Sequence, residues 1–323
     1  MFKIDLVYLW CDGNDFSFQE KKQKLLESYR LNLPEDNAGD IRYVQNNELL
    51  YSLRSAHANL PWINHIFIVT DSQVPTWLNK HDKISIIDHR EIIPKNLLPT
   101  FNAYVIETYI HKIPTLSEHF LYANDDMFFM QPLTPFDFFN KKGLPIVRLD
   151  KSSKTFSINS AQRQIDINKK TFYSTLLNAW ILFCKRNHRL IPFDTFDHSV
   201  SGYTKQSWID ILNKYPEITN ANAFPFRTYN EIHRLIFSYE MTYCMSSDRV
   251  YINKPTFFNR ILCRFVNREI WVSCRKSMKK MLRDTKLCHP KIVCLNKVDN
   301  RSLFENTFCN LFPDPAPWEI SST

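Results

Sequence analysis

Three places in the first 126 residues put acidic side chains where an apolar run gives way to a turn: Asp12, Asp71 after Thr70, and Asp125-Asp126 behind Asn124. Each alone reads as a turn residue or a helix cap. Their recurrence at three predicted strand ends points to a ligand site, because open α/β sheets bind beyond the carboxyl ends of their strands. Asp5 differs, since it lies inside the apolar run Ile4–Trp10. A buried carboxylate costs several kcal/mol unless paired, so a salt bridge, a cation or donors must meet it. Asp125 and Asp126 are adjacent, and neighbours on an extended chain face opposite ways. Unless the backbone turns, one reaches reactants or a divalent cation such as magnesium, which prefers carboxylate oxygens, and the other braces the loop. His198, Arg227, Arg42 and Arg54 each read as structural in isolation. Together, carboxylates, a histidine and arginines make a toolkit for phosphate transfer: arginine presents a planar fork to phosphate oxygens and histidine accepts a hydroxyl proton.

Such a toolkit is needed because glycine is scarce. The chain holds 4 glycines in 323 residues, where ordinary usage would give about 23. Neither G-x-G-x-x-G nor the Walker loop can be written from them, so side chains, a helix N-terminus or a metal must hold any phosphate. The elements that would position these groups alternate. Strand-like text at Ile4–Trp10, His65–Thr70, Ile84–Ile87 and His119–Ala123 is separated by helix-like text at Phe16–Arg30, Glu48–Leu60 and Asn102–Lys112. This alternation predicts an α/β sheet covered on both faces. The second half reads mainly helical, with Phe172–Cys184, Gln206–Lys214 and Tyr229–Met245 clearest, and Ile292–Leu295 is expected to return to the sheet edge. We expect one continuous unit over 1–323, with an α/β half at 1–140 and a mostly helical half at 141–323.

Composition narrows the function classes. The hydrophobic share of 44% and charged share of 23% are those of a globular protein. No run approaches the roughly 18 apolar residues of a membrane span. Eight cysteines without a C-x-x-C pair argue against a zinc ribbon and read as reduced thiols of a cytoplasmic protein. The net charge of +8 is concentrated: residues 254–291 carry eleven basic residues against Glu269 and Asp284. With interleaved apolar residues, this segment predicts an amphipathic helix or helix pair. Its basic face is either simply solvated or a surface for an anionic membrane or a polyanionic glycan. No nucleic-acid fold signature accompanies it, so nucleic acid is not the expected partner.

Several segments resemble the Stealth family, the sugar-1-phosphate transferases of bacterial capsule synthesis related to the animal N-acetylglucosamine-1-phosphotransferase. The resemblance runs through Ile4-Asp5-Leu6-Val7-Tyr8-Leu9-Trp10-Cys11-Asp12-Gly13, then Arg42-Tyr43, Glu48 to Ser55 and Ile68-Val69-Thr70-Asp71. It continues in Leu116 to Phe120 and Asn124-Asp125-Asp126-Met127-Phe128-Phe129, and more loosely in Asp197-His198, Phe226-Arg227 and Cys294-Leu295-Asn296. It implies a nucleotide-sugar transferase fold of the GT-A, Rossmann-like kind. It also implies transfer of a sugar-1-phosphate from a nucleotide sugar, a UDP-hexose or UDP-N-acetylhexosamine, to a saccharide hydroxyl with release of UMP, at the inner face of the cytoplasmic membrane. By carry-over, Asp5, Asp126, His198 and Arg227 are catalytic, with His198 or Asp126 as general base. Asp12, Gly13, Arg42, Arg54, Asp71, Asn124 and Glu231 bind substrate, and Asp125 and Asp126 hold magnesium. The alternatives are a conventional glycosyltransferase, which would release UDP, and a non-catalytic glycan- or membrane-binding module.

Overall fold

The computed structural model describes residues 2–30, 39, 43–151, 154, 156–167, 171–196, 198–253, 255–256, 259, 263 and 269–320. The first part alternates as the hydrophobic text predicts: β1 Ile4–Leu9, α1 Phe16–Ser28, α2 Glu48–Asn59, β2 Ile66–Thr70, β3 Ile84–Asp88, α3 His89–Ile92, α4 Ala103–Tyr109 and β4 His119–Asn124. There follow β5 Met127–Phe129, β6 Val147–Asp150, α5 Ile158–Ile167, α6 Phe172–Arg186, β7 Thr195–Phe196, β8 Ser201–Thr204, α7 Lys205–Lys214, α8 Glu217–Ala221 and α9 Leu235–Tyr243. The chain ends with β9 Arg249–Tyr251, β10 Val272–Arg275, α10 Met278–Cys288, β11 Ile292–Leu295 and α11 Arg301–Leu311.

The main sheet has the order β3-β2-β1-β4-β8. Its first four strands are parallel, with Leu6 opposite both Ile66 and Leu121, and β8 closes the edge antiparallel to β4. Both faces are dry, as a parallel sheet requires. Val7, Phe67, Val69, Phe120 and Tyr122 enter one core with Val105, Trp180 and Ile236. The alternate residues Leu6, Tyr8, Ile68, Leu121 and Ala123 enter the other with Leu49, Leu53 and Ala56 of α2. The period of two in the strands and the helical spacing in α2 thus meet at one interface. Each fully buried Leu there is worth roughly 1.5–3 kcal/mol of apolar transfer.

Beyond β4 the chain leaves this sheet. It turns at Asp125-Asp126, and β5 joins a second sheet of order β10-β11-β5; a third has the order β7-β6-β9. Two expectations are corrected here. Ile292–Leu295 is the central strand of the second sheet, not an edge of the first. The helix expected over Tyr229–Met245 begins only at Leu235. Before it, Tyr229 sits at φ 63° and the Glu231 carboxylate accepts the Thr228 amide at 2.7 Å, a side-chain bond that competes with helical pairing.

In the basic segment, Lys254, Arg260, Arg264 and Arg268 lie outside the described residues. Its described helix, α10, is amphipathic: Met278, Met281 and Cys288 are buried, while Lys279, Lys280, Arg283 and Lys286 are exposed. Among the described residues, no helix is long and apolar enough to cross a membrane.

Candidate active site

The carboxyl ends of β1, β2 and β4 are stitched to one another by backbone and side-chain bonds. Gly13 donates its amide to the Tyr43 carbonyl at 2.8 Å, and a Cβ at this position would come within 2.5 Å of Tyr43. Only glycine allows that approach. The Gln73 side chain grips the Asp12 backbone at both ends, accepting from its amide at 3.0 Å and donating to its carbonyl at 2.9 Å. Asp12 Oδ1 caps Asn14 at 2.8 Å, and Asp71 pairs with Lys21 at 2.7 Å.

The turn after β4 separates the two neighbouring aspartates. Asp125 accepts from Gln45 Nε2 at 2.7 Å. Burial first, then the charges of Asp126 and Glu48, push its pKa up to about 8. Asp126 faces the second sheet. Its carbonyl accepts from the Leu295 amide at 3.0 Å, and its Oδ2 accepts from Cys294 Sγ at 3.5 Å. Its Oδ1 is buried with no hydrogen-bond partner. His198 arrives just ahead of β8, with its Nε2 3.2 Å from Asn124 Nδ2. Ligand-type atoms of Asp126, His198 and Cys294 all lie within 4.8 Å of one another. Burial lowers the His198 pKa against the pull of Asp126, with Arg234 and Arg227 adding to the lowering, so the ring is favoured as neutral imidazole.

Arg227 belongs to the same neighbourhood. Its guanidinium lies over the Tyr104 and Tyr229 rings, at 5.4 and 5.8 Å from their centroids. The loop that carries it is braced by Glu231, which is fully buried and accepts from Asn102 Nδ2 at 3.1 Å as well as from Thr228. Glu231 therefore holds the arginine loop from behind. A second buried group lies under Asn124. The Tyr122 hydroxyl oxygen is 2.8 Å from Glu107 Oε1 and 3.1 Å from Asn124 Oδ1. Arg234 stands 3.7 Å from Glu107 and 4.4 Å over the Tyr122 ring.

Two expected members sit elsewhere. Asp5 is at the start of β1, four residues before Leu9, or about 13 Å back along the strand. Both its oxygens are occupied, by Asn64 Nδ2 at 2.7 Å and the Ser117 amide at 2.6 Å. It ties two connections together at the amino end of the sheet, apart from the other candidates, which gather at the carboxyl end. Arg54 is likewise engaged away from the other candidates. Its guanidinium forks onto Glu319 at 2.8 and 2.6 Å and reaches the Phe312 carbonyl at 3.2 Å, clamping α2 to the C-terminal segment. Arg42 lies outside the described residues. Sequence reasoning missed Glu107, Arg234 and Cys294 as members of this neighbourhood. The signal available for Glu107 was a carboxylate in apolar helix text, the same signal that singled out Asp5.

The donor set at Asp126 suits a divalent cation. An orphaned buried carboxylate oxygen beside a second crowded carboxylate leaves negative charge that a cation would neutralise. Oxygen, imidazole and thiol together make a softer set than the all-oxygen shell magnesium favours. Asp125, expected as a second ligand, is turned to Gln45 instead.

Residues 42–147 match the Stealth protein CR2, conserved region 2. The chain is 49% identical over 150 residues to the capsular polysaccharide phosphotransferase fcs1 of Haemophilus influenzae, covering 45% of this chain and 40% of that protein. It is 47% identical over 145 residues to the capsular polysaccharide phosphotransferase LcbA of Neisseria meningitidis, covering 44% and 39%. With the exopolysaccharide phosphotransferase CpsY of Mycobacterium tuberculosis it shares 30% identity over 334 residues, covering 99% of this chain and 58% of that protein. The chain thus spans about two fifths to three fifths of these relatives. Among solved structures, the galactosyltransferase LgtC in complex with donor and acceptor sugar analogs is similar at a TM-score of 0.43 and 10% identity, over 96% of this chain and 95% of that one.

Proposed function

Because this chain belongs to the Stealth family, as its conserved region 2 and its phosphotransferase relatives establish, we propose that it transfers a sugar-1-phosphate from a nucleotide sugar to a saccharide hydroxyl in surface polysaccharide synthesis. The observation that carries this reading is the convergence of Asp126, His198 and Cys294 ligand atoms within 4.8 Å at the carboxyl end of β4, with one Asp126 oxygen unpartnered. The donor is a UDP-hexose or UDP-N-acetylhexosamine, held by the Asp12-Gly13 loop, Asp71 and Asn124. The acceptor oxygen attacks the β-phosphorus, the bond from that phosphorus to the bridging oxygen breaks, and UMP leaves. The bond from C1 to oxygen is untouched, so the anomeric configuration is kept.

His198, neutral by burial, accepts the hydroxyl proton, a role worth typically ~10²–10⁴ in rate. Arg227 and Arg234 supply fixed positive charge toward the phosphoryl oxygens. A divalent cation held by Asp126 with Cys294 would supply Lewis-acid polarisation there, leaving His198 to take the proton. The exposed lysines of α10 give the anionic polymer, or an anionic inner membrane surface, a place to rest. The deciding experiment is identification of the released nucleotide after incubation with a panel of UDP-sugars, a saccharide acceptor and divalent metals. UMP is expected; UDP would make the enzyme a conventional glycosyltransferase, and no nucleotide release with any donor would favour a binding module.

A further inference from the structure

At the amino end of β4, opposite the Asp126, His198 and Cys294 cluster, lies a cavity that the proposed transfer does not use. It has a volume of about 350 Å³ and is lined by His111, Lys112, Lys205, Ile209, Leu212 and Asn213, a size within the ~300–1,000 Å³ of small-molecule pockets. Lys205, Ile209, Leu212 and Asn213 recur along one face of α7, at the spacing that brings helical side chains together. His111 and Lys112 come from the 3₁₀ turn Ile110–Lys112. Lys205 follows Thr204, which pairs with His119 at the start of β4. Asn124 ends that strand five residues on, about 17 Å away, so a ligand here is not the group being transferred.

The lining holds basic groups and no carboxylate. Among the described residues neither Lys112 nor Lys205 pairs with an acid, and Lys205 Nζ donates to the Ile113 carbonyl at 3.4 Å. Glu118 and Asp210, on the same stretches of chain, are turned to Gln206 at 3.1 and 2.8 Å. His111 is 8% exposed, and its Nδ1 is buried without a hydrogen bond of full geometry. Burial first, then the charge of Lys112, with Lys205 adding, hold its pKa down to about 4 against the Thr108 carbonyl. Two cations thus gather beside a ring whose hydrogen-bonding capacity the protein does not fill. Their repulsion is relieved by an anion between them.

We propose that this cavity binds a phosphate ester, its oxygens on Lys112, Lys205 and His111 and its carbon part against Ile209 and Leu212. Lysine ammonium groups bind phosphate as point charges. The volume exceeds what a bare phosphate fills, and the apolar wall suits the carbon that an ester carries. The reaction proposed above makes two such esters, UMP and the polymer phosphodiester, and for the source of its ligand the inference rests on that reading.

The test needs no turnover, so its failure and that of the nucleotide assay are separately visible. The full chain, labelled with ¹³C at histidine, is titrated at constant pH and ionic strength with glucose 1-phosphate and with dimethyl phosphate, glucose and sodium chloride serving as blanks. The His111 ring signal is assigned by its loss in His111→Asn or, should that variant not fold, by its displacement in Lys112→Gln, a change at an exposed position. The expected result is saturable movement of this signal with an ester and none with the blanks. Saturation by glucose 1-phosphate alone assigns the cavity to free monoesters; saturation by dimethyl phosphate as well extends it to the polymer diester. Lys112→Gln with Lys205→Gln should weaken binding roughly tenfold or more, and Lys112→Arg with Lys205→Arg should keep it. Absence of saturable movement with either ester overturns the inference, and that result requires no lysine variant. A doubly Gln-substituted protein that melts like the wild type and binds as tightly overturns it equally.

Discussion

Asp5 and Asp126 show how far two carboxylates with the same look in sequence can diverge. Asp5 is buried and satisfied, by one side-chain and one backbone donor. Asp126 keeps an oxygen buried and unpartnered next to a second aspartate. The first arrangement stabilises the fold; the second stores repulsion that a cation or substrate relieves, the usual conflict between stability and activity at a site. Asp5→Ala should cost about 1–3 kcal/mol in urea denaturation, the cost of stranding buried donors, and leave turnover per folded molecule unchanged. Asp126→Asn should lower turnover by at least ~10² while the melting temperature holds or rises. An active Asp126→Asn protein, or a stable but inactive Asp5→Ala protein, would exchange their roles.

Among the elements, α2 and α10 each use one face for packing and the other for a separate task. α2 buries Leu49, Leu53 and Ala56 under the sheet and turns Arg54 outward to Glu319, so a position that reads as a ligand for phosphate becomes a clamp. α10 buries Met278 and Met281, and anchors its underside through the fully buried Asp284, which accepts from Ser273 and Arg275. Its exposed row of Lys279, Lys280, Arg283 and Lys286 then projects charge without threatening the fold. Reversing two of these charges, Lys279→Glu with Lys280→Glu, should raise the acceptor concentration needed for half-maximal rate or weaken sedimentation with anionic vesicles, with little change in melting temperature. If neither changes, the row is only a solvated surface.

For the whole molecule, buried titratable groups tie stability to pH. Burial pushes both His89 and His111 down to about 4, while an unfolded chain takes up the same protons near pH 6.5. Their stabilisation is therefore full above about pH 6.5, drains as the pH falls toward 4, and then levels off. Asp125, raised rather than lowered, works in the opposite sense, so the useful measurement is the difference between wild type and His111→Asn. That difference should change by up to about 1.4 kcal/mol per pH unit between pH 6.5 and 4; a constant difference would remove His111 from the pH response. The layered α/β body was legible in the chain because strand and helix periods are local, and so were the strand-end carboxylates, since a turn follows a strand within a few residues. The fate of individual candidates was not. Asp5 is answered by Ser117, 112 positions away, and Arg54 by Glu319, 265 positions away. Cys294 reaches Asp126 only because β5 leaves the first sheet to pair with β11. Composition and spacing thus determined the alternation of strands and helices and the end of the sheet where the acidic turns gather. Which of those charges are paired was decided by tertiary packing, because a charge is neutralised by whatever the fold brings beside it, at any distance along the chain.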